Sequence, residues 1–227
     1  MLGTVVNAGA ILVGSILGIV LRKGIPQKYK DIIMNGLGLA VALIGMKMAL
    51  ATENELIIII SLVVGGVIGE ALALEERLAI FGERLQRLSG SGNSDFVKGF
   101  VTSSLVFCVG AMAVMGSLES GLTGNHKILF AKSLLDGIGA VVFASTMGIG
   151  VVFSSLAVLV YQGSITLLAG VVKTVMTEAV IAEMTATGGL LILAISSNIL
   201  GIKKFKTANL LPAIFVAIGL AALLRSY

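Results

Sequence analysis

The stretch MLGTVVNAGAILVGSILGIVL, residues 1–21, contains no charged side chain. Its length matches the roughly 17–25 apolar residues that a bilayer core requires of a helix. Leu56–Gly69, Ala186–Ile202 and Thr207–Leu224 are likewise free of charge. In hydrocarbon only helices or closed barrels satisfy the backbone hydrogen bonds. A barrel would alternate in polarity along short strands, whereas both faces of these runs are apolar. The expected fold is therefore all-α: a polytopic membrane protein of about eight transmembrane helices, with seven as the other count.

Composition agrees. Only 12% of residues are charged, half of the roughly 25% usual in soluble domains, and mean hydropathy is +1.07. So few charges cannot cover a water-facing surface, which excludes a soluble globular domain. The net charge of +4 follows the loops and is no nucleic-acid signal. The single cysteine, Cys108, can form no internal disulfide and reads as a small packing residue. The amino terminus lacks a basic leader region, so the first helix is expected to stay uncleaved.

Eight segments are expected near residues 2–21, 32–51, 56–72, 97–118, 128–147, 149–164, 186–202 and 207–225. Basic residues orient them. Arg22, Lys23, Lys28 and Lys30 follow the first; Arg77, Arg84, Arg87 and Lys98 separate the third from the fourth; Lys203, Lys204 and Lys206 separate the last two. Placing all three loops in the cytoplasm satisfies the positive-inside rule and puts the amino terminus outside. Two stretches are expected to lie along the interface. One is an amphipathic helix over 74–88, with Leu74, Leu78, Phe81, Leu85 and Leu88 on one face. The other is Val171–Thr185 at the outer surface. Residues 89–94, SGSGNS, read as a linker.

The chain also resembles itself. Gly9–Ser15 matches Gly110–Ser117 with one insertion, Asn35–Val41 matches Asp136–Val142, and Leu62–Ile68 matches Leu159–Ile165. Shared glycine-rich composition could produce one such match, but three in the same order favour a repeat. The expected organisation is a single membrane domain in three parts: repeat 1 over 1–88, repeat 2 over 95–185, and a C-terminal helix pair over 186–227. Three spans per copy is an odd number, so the copies would cross in opposite senses, as in many secondary transporters.

Ionisable groups inside spans are costly and need a reason. Lys132 and Asp136 lie four residues apart in the fifth segment and can pair on one helix face. Such a pair serves either as an ion, proton or polar-solute site or as an internal salt bridge orienting the helix. Asn35, the repeat mate of Asp136, is expected beside it near the pseudo-twofold axis. Asn7 and Gln162 are further costly intramembrane groups that bond a neighbouring helix or line a polar path. Serine and threonine in spans commonly bond back to their own helix. No phosphate-binding loop, catalytic triad or metal cluster is visible.

Several motifs carry a family resemblance: Phe107–Ser117, Lys132–Gly137, Phe143–Thr146, Tyr161–Gly163, the opening Gly3–Asn7 and the closing Ala208–Pro212. Together they resemble the bacterial domain-of-unknown-function 554 family of YqgA/YdfK-like inner-membrane proteins. The resemblance covers nearly the whole chain and implies location and span number. It carries over no substrate, cofactor or catalytic residue.

The functional expectation is a secondary transporter or channel-like protein for an ion or small polar solute, using Lys132, Asp136, Asn35, Asn7 and Gln162. It would sit in the bacterial inner membrane without cofactor or nucleic acid, its partners being lipid, the solute and a second copy of the chain. The alternative is a non-transporting scaffold or regulatory subunit. An enzyme is not expected, since only Ser103 or Ser104 facing Lys132 would offer a nucleophile–base pair.

Overall fold

The computed structural model describes residues 1–22, 27–78, 80, 84 and 96–224. Among them the chain is helical and holds no strand. The helices are α1 (Leu2–Arg22), α2 (Gln27–Ala49), α3 (Glu55–Ala71), α4 (Phe96–Cys108), α5 (Ala111–Thr123), α6 (Lys127–Met147), α7 (Gly150–Leu167), α8 (Ala169–Val175), α9 (Glu178–Leu200) and α10 (Pro212–Leu224), with a 3-10 turn over Thr207–Leu210. Local signals set several ends. Asn54 caps α3 by accepting from Leu56 N at 3.1 Å. Thr177 caps α9, and Gly201 closes it in the left-handed conformation that glycine adopts without strain.

Six helical stretches in the described residues are long and apolar enough to cross a membrane, and a seventh is the pair α4–α5, bent by 58°. The 17 residues of α3 sit at the lower end of the roughly 17–25 that suffice.

Three boundaries differ from expectation. The fourth segment is not one straight helix but breaks at Gly110, whose φ of 150° is open to glycine and strained for other residues. The stretch 171–185 is divided rather than interfacial throughout. Its first part lies in α8, while 178–185 open the long helix α9, because the Thr177 cap starts the helix eight residues earlier than hydropathy suggests. The eighth segment begins with the 3-10 turn before α10. Of the amphipathic helix expected over 74–88, residues 74–78 are helical. Its remainder, apart from residues 80 and 84, lies outside the described residues, as does the linker 89–94.

The helices form two compact units, residues 1–37 with 80–172, and 38–79 with 173–227. Each unit is discontinuous in sequence, and the first joins α1 to α4–α7.

In the first unit α1 lies against α6 at backbone distance. A Cβ at Gly14 would run into the carbonyl oxygen of Gly137, and one at Gly18 into that of Val141. Gly3 faces Leu129, so contact numbers rise together and the two helices run parallel. Against α7, α1 is antiparallel: Thr4 meets Thr166 and Asn7 meets Gln162. The broken pair runs alongside α7 over its length. Gly150, at the start of α7, abuts Phe96, and Gly121, near the end of α5, abuts Thr166 and Ala169.

In the second unit carboxylates act as braces. Glu183 of α9 is 2% exposed and accepts from Thr52 Oγ1 at 2.7 Å, Glu53 N at 2.8 Å and Asn54 N at 3.0 Å. It thereby ties the α2–α3 turn to α9. Glu70 accepts from Lys206 Nζ and Asn209 Nδ2, both at 2.6 Å, while Asn209 Oδ1 accepts from Glu75 N at 2.7 Å. The bond given to Glu70 holds the Lys206 ammonium above the usual lysine range.

Enlarging Gly18 tests the α1–α6 contact. Gly18→Leu should lower the thermal midpoint in detergent, since overpacking costs about 1–3 kcal/mol. Gly9→Leu, where a Cβ would meet nothing within 4 Å, should leave it unchanged. Equal effects of the two would contradict the packing described.

Candidate functional site

The first unit holds a buried polar centre, built outward from α6. Helical spacing puts Lys132 and Asp136 one turn apart on one face. The lysine ammonium reaches back to both carboxylate oxygens, with Nζ 2.9 Å from Oδ1 and 2.8 Å from Oδ2. The residues are only 8% and 6% exposed. Burying either charge alone would cost several kcal/mol, and pairing plus hydrogen bonding is what offsets that cost.

Two neighbouring helices complete the centre. From α1, Asn7 Nδ2 donates to Asp136 Oδ2 at 3.0 Å, and from the same nitrogen to Gln162 Oε1 on α7 at 3.2 Å. Both amide side chains are fully buried. The result is one connected line, Lys132–Asp136–Asn7–Gln162, across three helices. It is not fully satisfied: among the described residues, Asn7 Oδ1 and Gln162 Nε2 have no hydrogen-bond partner. Thr4 Oγ1 and Thr166 Oγ1, 3.3 Å apart, form the adjoining step toward the amino end of α6. At that end Ser120 Oγ lies 2.9 Å from His126 Nδ1.

The break between α4 and α5 lies on the same side of α6. The Phe107 ring packs on Phe143 at 5.7 Å between centroids and against Gly139, one turn beyond Asp136. Gly110 begins α5 without a capping side chain.

Four of the five residues singled out from sequence thus meet: Lys132, Asp136, Asn7 and Gln162. Asn35, expected beside Asp136, is exposed on α2. Ser103 donates to Gly99 O at 2.6 Å, and Ser145 and Thr146 bond back to α6. Asn198 instead closes the turn after α9 through Phe205. Thr4 and Thr166 carry little signal in the sequence, since a lone threonine in a span commonly bonds back to its own helix. Glu183, within the 171–185 stretch expected along the outer surface, is a buried brace. Among the described residues no group of three or more His, Cys, Asp or Glu could hold a metal ion.

Comparison with known proteins agrees with a membrane assignment. The family described as "Protein of unknown function (DUF554)" matches residues 2–222. "Uncharacterized membrane protein YdfK" of Bacillus subtilis (strain 168) is 37% identical over 220 residues, covering 95% of this chain and 93% of the relative. "Uncharacterized protein YqgA" of Escherichia coli (strain K12) is 31% identical over 227 residues, covering 98% and 97%. No solved structure matches.

Breaking the pair from one side should be worse than removing it. Asp136→Leu strands a buried ammonium and should destabilise the protein by about 3–5 kcal/mol. Lys132→Met with Asp136→Leu should recover much of that. Thermal unfolding of the purified variants measures both; a double variant no better than the single would show that the two charges are not compensating each other.

Proposed function

This chain belongs to the DUF554 family of membrane proteins, and we propose that it is a small secondary transporter or channel-like protein for an ion or small polar solute. The observation that carries this reading is the buried line Lys132–Asp136–Asn7–Gln162 with two amide atoms left open. A purely structural brace gains nothing from open polar atoms in a low-dielectric interior, where each costs about 1–3 kcal/mol. The adjoining helix break adds support, since transporter sites are commonly built where helices are discontinuous.

Helix directions favour eight crossings. The parallel run of α1 and α6 needs an odd number of crossings between them, and α2, α3 and the bent pair counted once supply three. The bent pair runs parallel to α7, and α7 runs antiparallel to α1. So α1 and its repeat mate α4–α5 point in opposite senses, which supports the inverted repeat. The basic loops at Arg22, Arg77 and Lys203 support an amino terminus outside and a location in the bacterial inner membrane.

A second reading is a non-transporting scaffold or regulatory subunit. What favours it is the closure of the centre, with Lys132 and Asp136 each under 10% exposed.

Two experiments separate these readings. Protein in liposomes should pass at least one member of a broad screen of ions and polar solutes, with the flux lost in Asp136→Asn. Absence of any flux, or flux indifferent to Asp136→Asn, favours the scaffold. Reporters at the amino terminus and after residue 92 should be found in opposite compartments; a shared compartment would rule out the odd crossing number.

A further inference from the structure

The polar side chains of the first unit are layered along the α1–α7 seam. Nearest the amino end of α6 is the Thr4–Thr166 hydroxyl pair. Next comes Asn7–Gln162, joined to Asp136 and Lys132. One helical turn further, the antiparallel register brings Ile11 and Val158 to the same level, both with no exposure. Another turn on are Ser15 and Ser154, also fully buried. Toward the amino end of α6 the centre therefore continues through hydroxyls. In the other direction it ends at an aliphatic step.

Two features define what fits the centre. First, its formal charges cancel, because Lys132 Nζ engages both oxygens of Asp136. Admitting an ion would either add an uncompensated charge or prise the pair apart, and both are costly in this interior. Second, the open valences are one acceptor, Asn7 Oδ1, and one donor, Gln162 Nε2. Turning an amide over does not close them. A reversed Asn7 would aim its oxygen at the Asp136 carboxylate and at Gln162 Oε1. A reversed Gln162 would set its NH2 against that of Asn7.

We propose that this centre binds a small, net-neutral solute carrying both a hydrogen-bond donor and an acceptor, of the urea or acetamide type. The solute loads past Thr4 and Thr166 and is stopped at the Ile11–Val158 step. Asn7 Oδ1 accepts from it and Gln162 Nε2 donates to it, while the ion pair stays closed. Loading needs α1 and α7 to part at the Thr4–Thr166 hydroxyl contact. The proposal rests on the transport reading above and assigns its solute class.

The test uses the full chain in liposomes. Stopped-flow light scattering follows urea and acetamide, voltage-sensitive dye follows Na⁺, K⁺ and Cl⁻, and a pH dye follows protons. Urea or acetamide should equilibrate faster than in protein-free vesicles. Gln162→Leu should slow that by about tenfold, the loss expected of a hydrogen bond that the solute must make. Val158→Ser, which makes the aliphatic step polar, should speed it. Thr166→Ser, which keeps the hydroxyl, guards against misfolding: it should leave the thermal midpoint and loading in place, whereas Thr166→Val should slow loading. Ion or proton flux without amide flux would overturn the solute class and leave the transport reading standing, and so would water permeability alone. If nothing moves, thermal unfolding in detergent decides. Stabilisation of the wild type by acetamide, absent in Gln162→Leu, would uphold the site and overturn transport; no such difference would overturn both.

Discussion

A lysine and an aspartate that leave water together must neutralise each other and find hydrogen bonds for what is left over. Lys132 and Asp136 meet the first demand within one turn of α6, and meeting the second draws in two more helices. Asn7 reaches the carboxylate only because α1 lies at backbone distance from α6, and that approach depends on Gly14 and Gly18 having no side chain. Gln162 in turn meets Asn7 only in the antiparallel register of α1 and α7. The glycine faces, the helix directions and the polar centre are thus one solution to a single electrostatic problem.

The second unit solves a similar problem differently. Glu183 is as buried as Asp136, yet it is met by a hydroxyl and two backbone N–H groups of the α2–α3 turn. Those donors are themselves fixed by the turn and by the cap of α3. Glu70, Asn209 and Glu75 similarly join the end of α3 to the 3-10 turn before α10. Carboxylates used this way hold connections in place. Among the described residues the centre of the first unit differs in that its unpartnered atoms belong to two amides, where those of the second unit belong to hydroxyls such as Thr185 and Thr187.

The broken helix α4–α5 belongs to the same picture. A bend of 58° interrupts the hydrogen-bond ladder at Gly110, and in hydrocarbon such an interruption is tolerated where protein or a cavity covers it. Phe107, just before the interruption, packs on Phe143 and against Gly139, so the helix that carries the charges supports one side of it.

Hydropathy and charge in the chain alone determined an all-helical membrane protein, the approximate limits of each span and the nomination of Lys132, Asp136, Asn7 and Gln162, because burying charge or an amide in lipid is expensive enough to be read residue by residue. The i, i+4 spacing also allowed the pairing of Lys132 with Asp136 that the structure contains. Other features were decided only by tertiary structure. Asn35 and Asp136 each precede a Gly-x-Gly in similar stretches of sequence, yet which face of a helix meets protein and which meets lipid depends on its neighbours, and Asn35 is left exposed. Glu183 looked interfacial because hydropathy averages over a window, whereas its burial depends on a turn more than one hundred residues away supplying donors. The break at Gly110 was hidden within a continuous apolar run, since composition does not record backbone direction. Which amide atoms stay open is likewise a matter of three helices meeting at fixed angles, a property that no single stretch of the chain contains.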